Sequence, residues 1–115
     1  MANTFKVITK ANVTSADVIY TVAGSTTTVI LGLVLGNTTT SQVTTTVSLA
    51  SDTGSRAGAN NEDNQTVELV TNAPIPAGSS LEMLAGNKVV METTDALSVT
   101  SSGSTDVCLS IMEIT

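Results

Sequence analysis

Three observations predict an all-β fold, an antiparallel β-sandwich of Ig-like or jelly-roll-like type with about eight or nine short strands and no significant helix. Candidate strands arrive every 8 to 12 residues with turn residues between them, the spacing of a sandwich or barrel. Residues 42–49, QVTTTVSL, alternate with period two: Val43, Thr45, Val47 and Leu49 on one face, Gln42, Thr44, Thr46 and Ser48 on the other. Nowhere do apolar residues recur at helical spacing over several turns, and a Thr- and Val-rich chain prefers strands.

The elements follow in order. Residues 4–9 alternate Phe5 and Val7 against Lys6 and Ile8, a first strand whose lysines discourage edge pairing. Residues 11–16 are polar and read as a loop. Val18, Tyr20 and Val22 share one face of a second strand, with Asp17 and Thr21 on the other, and Gly24-Ser25 ends it. Phe5 and Tyr20, the only aromatic residues, are both placed in the core.

The most apolar stretch is 27–36, TTVILGLVLG, read as a central strand. Val29, Leu31, Leu33 and Leu35 would line one face and Ile30 and Val34 the other, with Gly32 and Gly36 between. A strand dry on both sides lies in mid-sheet, inside a sandwich or with its second face closed by another subunit. Ile30, Gly32 and Val34, with the edge lysines Lys6 and Lys10, are therefore the candidate interface residues. The two glycines suit close approach by a neighbouring backbone as well as a bulge or relief of crowding. For the lysines, the alternatives are an acidic neighbour and a solvated face.

After the period-two strand comes the longest non-periodic stretch, residues 50–64, ASDTGSRAGANNEDN. Loops of this length tend to be functional or mobile, and Asp52, Arg56, Glu62 and Asp63 are its candidate contact residues. The same carboxylates and the neighbouring amides are hard oxygen ligands, so calcium is the ion the loop would suit, although no EF-hand spacing occurs. A solvated loop is the plainer reading. Strands resume at 66–70. Pro74 and Pro76 mark 72–78 as a rigid turn, Leu81 and Met83 face opposite to Glu82, and Gly86-Asn87 suits a tight hairpin into Val89 and Met91. Asp95, before Leu97 and Val99, could be a further ligand, but an Asp that closes a turn on its own backbone amides is the commoner case, and 107–114 is the last strand.

The composition excludes several functions. The chain has 115 residues and no His, so the usual triad base and the commonest metal ligand are missing. One cysteine, Cys108, forbids an intrachain disulfide and reads as a small core residue, with an interchain bond as the alternative. A net charge of −6 with only four basic residues and no basic cluster rules against nucleic acid. No phosphate-binding glycine loop occurs, no apolar run reaches the ~18 to 20 residues of a membrane span, and residues 1–10 lack the apolar core of a secretory signal. The reading is a single domain over 1–115, made in a cytoplasm, with no catalytic group, no cofactor and no metal.

Some segments resemble small virion proteins of tailed bacteriophages, including cyanophages. They are NAPIPAGSSLEML at 72–84, GNKVVME at 86–92, TDALSV at 94–99 and the last strand at 107–114. The opening Met1 to Val7, the Tyr20-Thr21-Val22 segment and an apolar strand ending in an N-x-[ST] pattern, Leu33 to Thr38, are similar too. Where those proteins carry Val-Pro after the tyrosine strand, this chain has Val22-Ala23. The resemblance implies a non-enzymatic β-sandwich located in a virion and made in the host cytoplasm. It would bind and stabilise a symmetric assembly as a capsid decoration or cement protein, or a neck or tail accessory. Its partners would be itself, as a homo-oligomer, and other virion proteins such as the major capsid, neck or tail proteins. The alternative from another class is a receptor-binding or adhesin-type module of a tail fibre or baseplate, using the 50–64 loop.

Overall fold

A computed structural model of the chain describes residues 2–52, 65–84 and 88–115. They form nine strands and no helix: β1 (Asn3–Val13), β2 (Ala16–Thr21), β3 (Thr27–Asn37), β4 (Val43–Ala50), β5 (Thr66–Ile75), β6 (Ser80–Met83), β7 (Val89–Met91), β8 (Ala96–Ser101) and β9 (Thr105–Ile114). All pairings are antiparallel. One sheet has the order β1-β9-β3, with β6 and β7 both on the far edge of β3, and the other has the order β2-β8-β4-β5. The expected β-sandwich is what the chain forms.

Of the pairs adjacent in sequence, β4 and β5 alone share a ladder; β6 and β7 lie in one sheet without pairing, and every other connection among these strands crosses between sheets. The space between the sheets is filled by Ile30, Leu33, Leu35, Val47, Leu97, Val99, Leu109 and Ile111, with Val13, Ile19, Val22, Val43, Ile75, Met91 and Val107 completing an aliphatic core. Tyr20 is the one aromatic ring packed against this core, and the rest of the gap is filled by aliphatic side chains from both inner faces that interdigitate across it. The buried polar residues are tied down. Asn37 donates to the Ser41 and Ile75 carbonyls at 2.8 and 2.9 Å and accepts from the Thr39 N–H and hydroxyl at 2.9 and 2.8 Å. A buried amide carrying four such bonds removes the penalty that an unpaired one would incur, and it fastens the end of β3 to the following turn and to β5.

Five expectations are corrected. In β3 the register shifts between Ile30 and Gly32, so Leu31 is the extra residue of a bulge and the alternation changes phase there. Thr28 and Ile30 point inward before it, Leu33, Leu35 and Asn37 after it, so Ile30 and Val34 do not share a face. In β2 a shift between Val18 and Tyr20 places Ile19 in the core and leaves Val18 exposed. β1 runs on through the expected loop, because Asn12 takes a left-handed φ of 58° and its N–H is held by Asp106 Oδ1 at 3.0 Å. β5 continues through Pro74 to Ile75; an edge strand tolerates proline, since only one side of its backbone must join the ladder. Finally, β6 and β7 both run antiparallel to β3 and so lie in line along it rather than as a hairpin. Residues 85–87, which include the expected turn, lie outside the described residues.

Candidate interaction face

Side chains on paired strands fall into rows across a sheet, and these rows give the outer face of the β1-β9-β3 sheet its chemistry. Val107, Leu109 and Ile111 of β9 are buried, so Asp106, Cys108, Ser110 and Met112 point outward. The register extends this assignment. One row joins Phe5, Met112, Val29 and Val90, the next joins Val7, Ser110 and Gly32, and a third joins Thr9, Cys108, Val34 and Glu82. Phe5 is 71% exposed, Val7 63%, Val90 56% and Val34 38%. Along these three rows the only charge is Glu82, at the β6 edge. Asp106 lies beyond them beside Gly36.

The third row borders a groove of about 350 Å³ lined by Thr9, Ala11, Val34, Gly36, Asp106 and Cys108 together with Lys10 and Val107. Its floor exists because Gly36 carries no side chain, while at Gly32 nothing lies within 4 Å of where a Cβ would stand. The face thus has a raised end, built on Phe5 and Met112, and a hollow end at Thr9, Cys108 and Gly36.

Of the expected interface residues, Gly32 and Val34 lie on this face. Ile30 is fully buried between the sheets, turned inward by the bulge at Leu31. Lys6 and Lys10 alternate with Phe5, Val7 and Thr9 and turn to the opposite side of β1. Lys6 Nζ meets Glu113 Oε1 at 2.7 Å, and Lys10 Nζ meets Asp17 Oδ2 of β2 at 3.3 Å, an ion pair between the sheets. Phe5, expected in the core, stands on the outside. Asp52 is exposed, and its N–H donates to Asp95 Oδ1 at 2.9 Å. Arg56, Glu62 and Asp63 lie outside the described residues.

A polar cluster that the sequence did not single out sits where β2 meets β1 and β9. The Tyr20 hydroxyl donates to Glu113 Oε2 at 2.6 Å and lies 2.7 Å from the Thr28 hydroxyl. Burial above all, and then the neighbouring Glu113 carboxylate, push the phenol up to about 12 against a smaller opposing pull from Thr28. The Lys6 ammonium first, then the Tyr20 hydroxyl, hold the Glu113 carboxyl below its ordinary range, and burial, which works the other way, does not overcome them. A protonated phenol on an ion-paired carboxylate ties the two sheets together. Asp95 accepts from the Glu92 N–H at 3.0 Å, the expected turn closure, and additionally anchors Asp52. Among the described residues no three His, Cys, Asp or Glu side chains come together as metal ligands, and no helix is long and apolar enough to cross a membrane.

No family model matches the chain, and no curated protein matches it. Several solved structures cover nearly all of it. A chain of the infectious bursal disease virus Gx strain is 12% identical with a TM-score of 0.55 over 98% of this chain and 33% of its own length. A chain of the T13 viral particle of the same virus is 11% identical with a TM-score of 0.50 over 96% and 35%. A chain from the disulfide-linked pili of Bacillus endospore appendages is 16% identical with a TM-score of 0.42 over 96% and 85%. The chain thus spans about a third of the length of the two viral proteins. At these identities the viral pair shares its sandwich fold.

Proposed function

We propose that the chain is a non-enzymatic structural subunit of a phage virion that binds and stabilises a symmetric assembly, as a capsid decoration or cement protein or as a neck or tail accessory. The observation that carries this reading is the outer face of the β1-β9-β3 sheet. Phe5, Val7, Val29, Val34, Val90 and Met112 lie in neighbouring rows of this face, and an apolar surface of this kind marks an interaction site. Its mechanism is burial, in which covering the face removes apolar area from water at each of many repeated contacts. The resemblance of the 72–84, 86–92, 94–99 and 107–114 segments to tailed-phage virion proteins supports it. So does the sharing of the sandwich by two chains of viral-particle structures.

The test is peptide mass spectrometry and antibody labelling of particles purified through a density gradient. A virion subunit copurifies at a fixed, multi-copy ratio to the major capsid protein and survives a high-salt wash, because apolar contacts are not screened. A chain left in the soluble fraction would overturn the proposal. The receptor-binding alternative rests on the 50–64 loop, most of which lies outside the described residues, and no feature of the described surface favours it.

A further inference from the structure

We propose that the free edge of β1 pairs antiparallel with β1 of a second copy of this chain, with Val7 on the two-fold axis, so that the β1-β9-β3 sheets of the two copies join into one. A sheet edge presents unused backbone donors and acceptors, and proteins guard such edges with short strands, bulges, prolines or inward-pointing charges. Three of the described edges are guarded. β5 carries Pro74, a left-handed Asn72 and two shifts of register, β2 has six residues and a shift between Val18 and Tyr20, and β6 and β7 are two short strands in line. The β1 edge lacks these devices, since its pairing with β9 is regular from Asn3 to Lys10. A charge guards an edge by staying unpaired, and Lys6 and Lys10 are held by Glu113 and Asp17 at 2.7 and 3.3 Å. The Lys6 side chain points to the inner side yet is 53% exposed, so that stretch of the edge is open to a further strand.

The ladder fixes which backbone groups are free. Ala2 and Thr115 exchange both backbone hydrogen bonds, at 3.2 and 3.0 Å, and in an antiparallel pair such positions alternate with positions that exchange none. Thr4, Lys6, Ile8 and Lys10 therefore bond to β9, while Asn3, Phe5, Val7 and Thr9 turn their N–H and C=O groups to the free edge. These groups meet their own copies in a few two-fold registers, and charge selects among them. With Lys6 on the axis, Lys6 faces Lys6; with Ile8 on the axis, Lys6 faces Lys10; and like charges directly opposite are destabilising. An axis at Phe5 leaves Thr9 without a partner. With Val7 on the axis, Val7 bonds to Val7, and Phe5 of each copy bonds to Thr9 of the other. Lys6 then lies opposite Ile8, and Lys10 opposite Thr4, which stands beside Glu113 on β9. The chain's own β1 thus satisfies this edge and brings a cation towards a carboxylate. The outer rows run on across the joint, with Met112 and Phe5 continuing into Thr9 and Cys108 of the other copy. As the way a virion subunit would pair, this rests on the structural-subunit reading. A chain monomeric in solution yet present on particles would fail here alone, and a dimer absent from particles would fail that reading alone.

The experiment has two arms on the full chain. Light scattering over a dilution series should give a dimer. Val7→Pro removes a donor that β9 does not use, and an edge strand tolerates proline at such a position. The thermal unfolding curve at high dilution should therefore stay near that of the parent, while dimerisation weakens roughly 10- to 100-fold through loss of the axial hydrogen bonds. In the second arm, Val7→Cys and Phe5→Cys are compared, each combined with Cys108→Ser, under mild oxidation with glutathione disulfide. The two copies of position 7 stand about 5.5 Å apart at Cα on the axis, within reach of a disulfide. The two copies of position 5 are offset by four residues along the strands, about 13 Å. Val7→Cys should give a reducible dimer and Phe5→Cys should not. A monomer at every concentration, a dimer that keeps its affinity with Val7→Pro, or crosslinking at position 5 as readily as at position 7 overturns the proposal. Should the proline variant unfold, the crosslinking comparison decides.

Discussion

The two sheets share one core but present opposite outer faces. On the β2-β8-β4-β5 sheet the outward residues of the central strands are Thr44, Thr46, Ser48, Ser98 and Thr100, with exposed Val18 of β2 beside Ser98 and Glu68 of β5 beside Ser48. On the β1-β9-β3 sheet the outward positions of the central strands are Val29, Gly32, Val34, Asp106, Cys108, Ser110 and Met112, with Phe5 and Val7 of β1 beside Met112 and Ser110. Inside, the two are matched: Val47, Leu97 and Val99 from one sheet meet Ile30, Leu33, Leu109 and Ile111 from the other, all but excluded from water. Since the inner faces are equally apolar, folding alone does not account for the difference outside. One outer face is rich in hydroxyls and the other carries more apolar side chains, a difference that a sandwich permits because alternation makes inner and outer faces independent.

The largest effect that can break this comparison lies where the sheets agree. Leu97→Ala and Leu109→Ala, one on each sheet and both fully buried, should each cost about 2–5 kcal/mol in denaturant unfolding, the range for removing a packed leucine side chain. A much smaller cost at one of them would show that its sheet packs loosely. Asn37→Ala comes next. The buried Ile75 carbonyl, the Ser41 carbonyl and the turn at Thr39 lose their partner, and a loss of about 1–3 kcal/mol is expected, the scale of an unsatisfied buried polar group.

The seam between the sheets responds to pH in two windows. Glu113 has a depressed folded-state pKa, so its contribution is present above its ordinary value of 4.5 and is lost as pH falls below it. Lys6→Met should flatten that acid limb of the stability profile. Tyr20 has a raised pKa, so its contribution is complete below 10.0 and is lost as pH rises towards about 12. As the only tyrosine, in a chain with no tryptophan, it gives an ultraviolet titration that reads its ionisation directly. A midpoint near 10 would mean that neither the burial of the Tyr20 phenol nor its contact with Glu113 persists in solution.

The smallest effect on stability sharpens the comparison most. Ser48→Val with Ser98→Val makes the hydroxyl face apolar, and Val34→Thr with Val90→Thr makes the apolar face polar. Each pair should shift single-subunit stability by only ~0.5 kcal/mol, as surface changes do. The first should lower solubility and the second should raise it, measured as the precipitation threshold in ammonium sulfate.

The sequence by itself determined the class of fold and most of its elements. Period-two alternation at Val43, Thr45, Val47 and Leu49, and turn residues at regular spacing, are local signals, and the strands they mark are present. Only the tertiary structure decided which side of each strand faces in. β1 alternates Phe5 and Val7 against Lys6, Ile8 and Lys10, and either set could have been buried. The outcome depends on Glu113, more than a hundred residues away, which takes Lys6, and on Asp17 across the gap, which takes Lys10. The bulges at Leu31 and Ile19 likewise leave no mark in composition, since each answers to the strand beside it. Because most connections cross between sheets, strand order and the outer rows are set by contacts distant in sequence. The face that carries the functional proposal follows from pairing, and the pattern of single strands does not contain it.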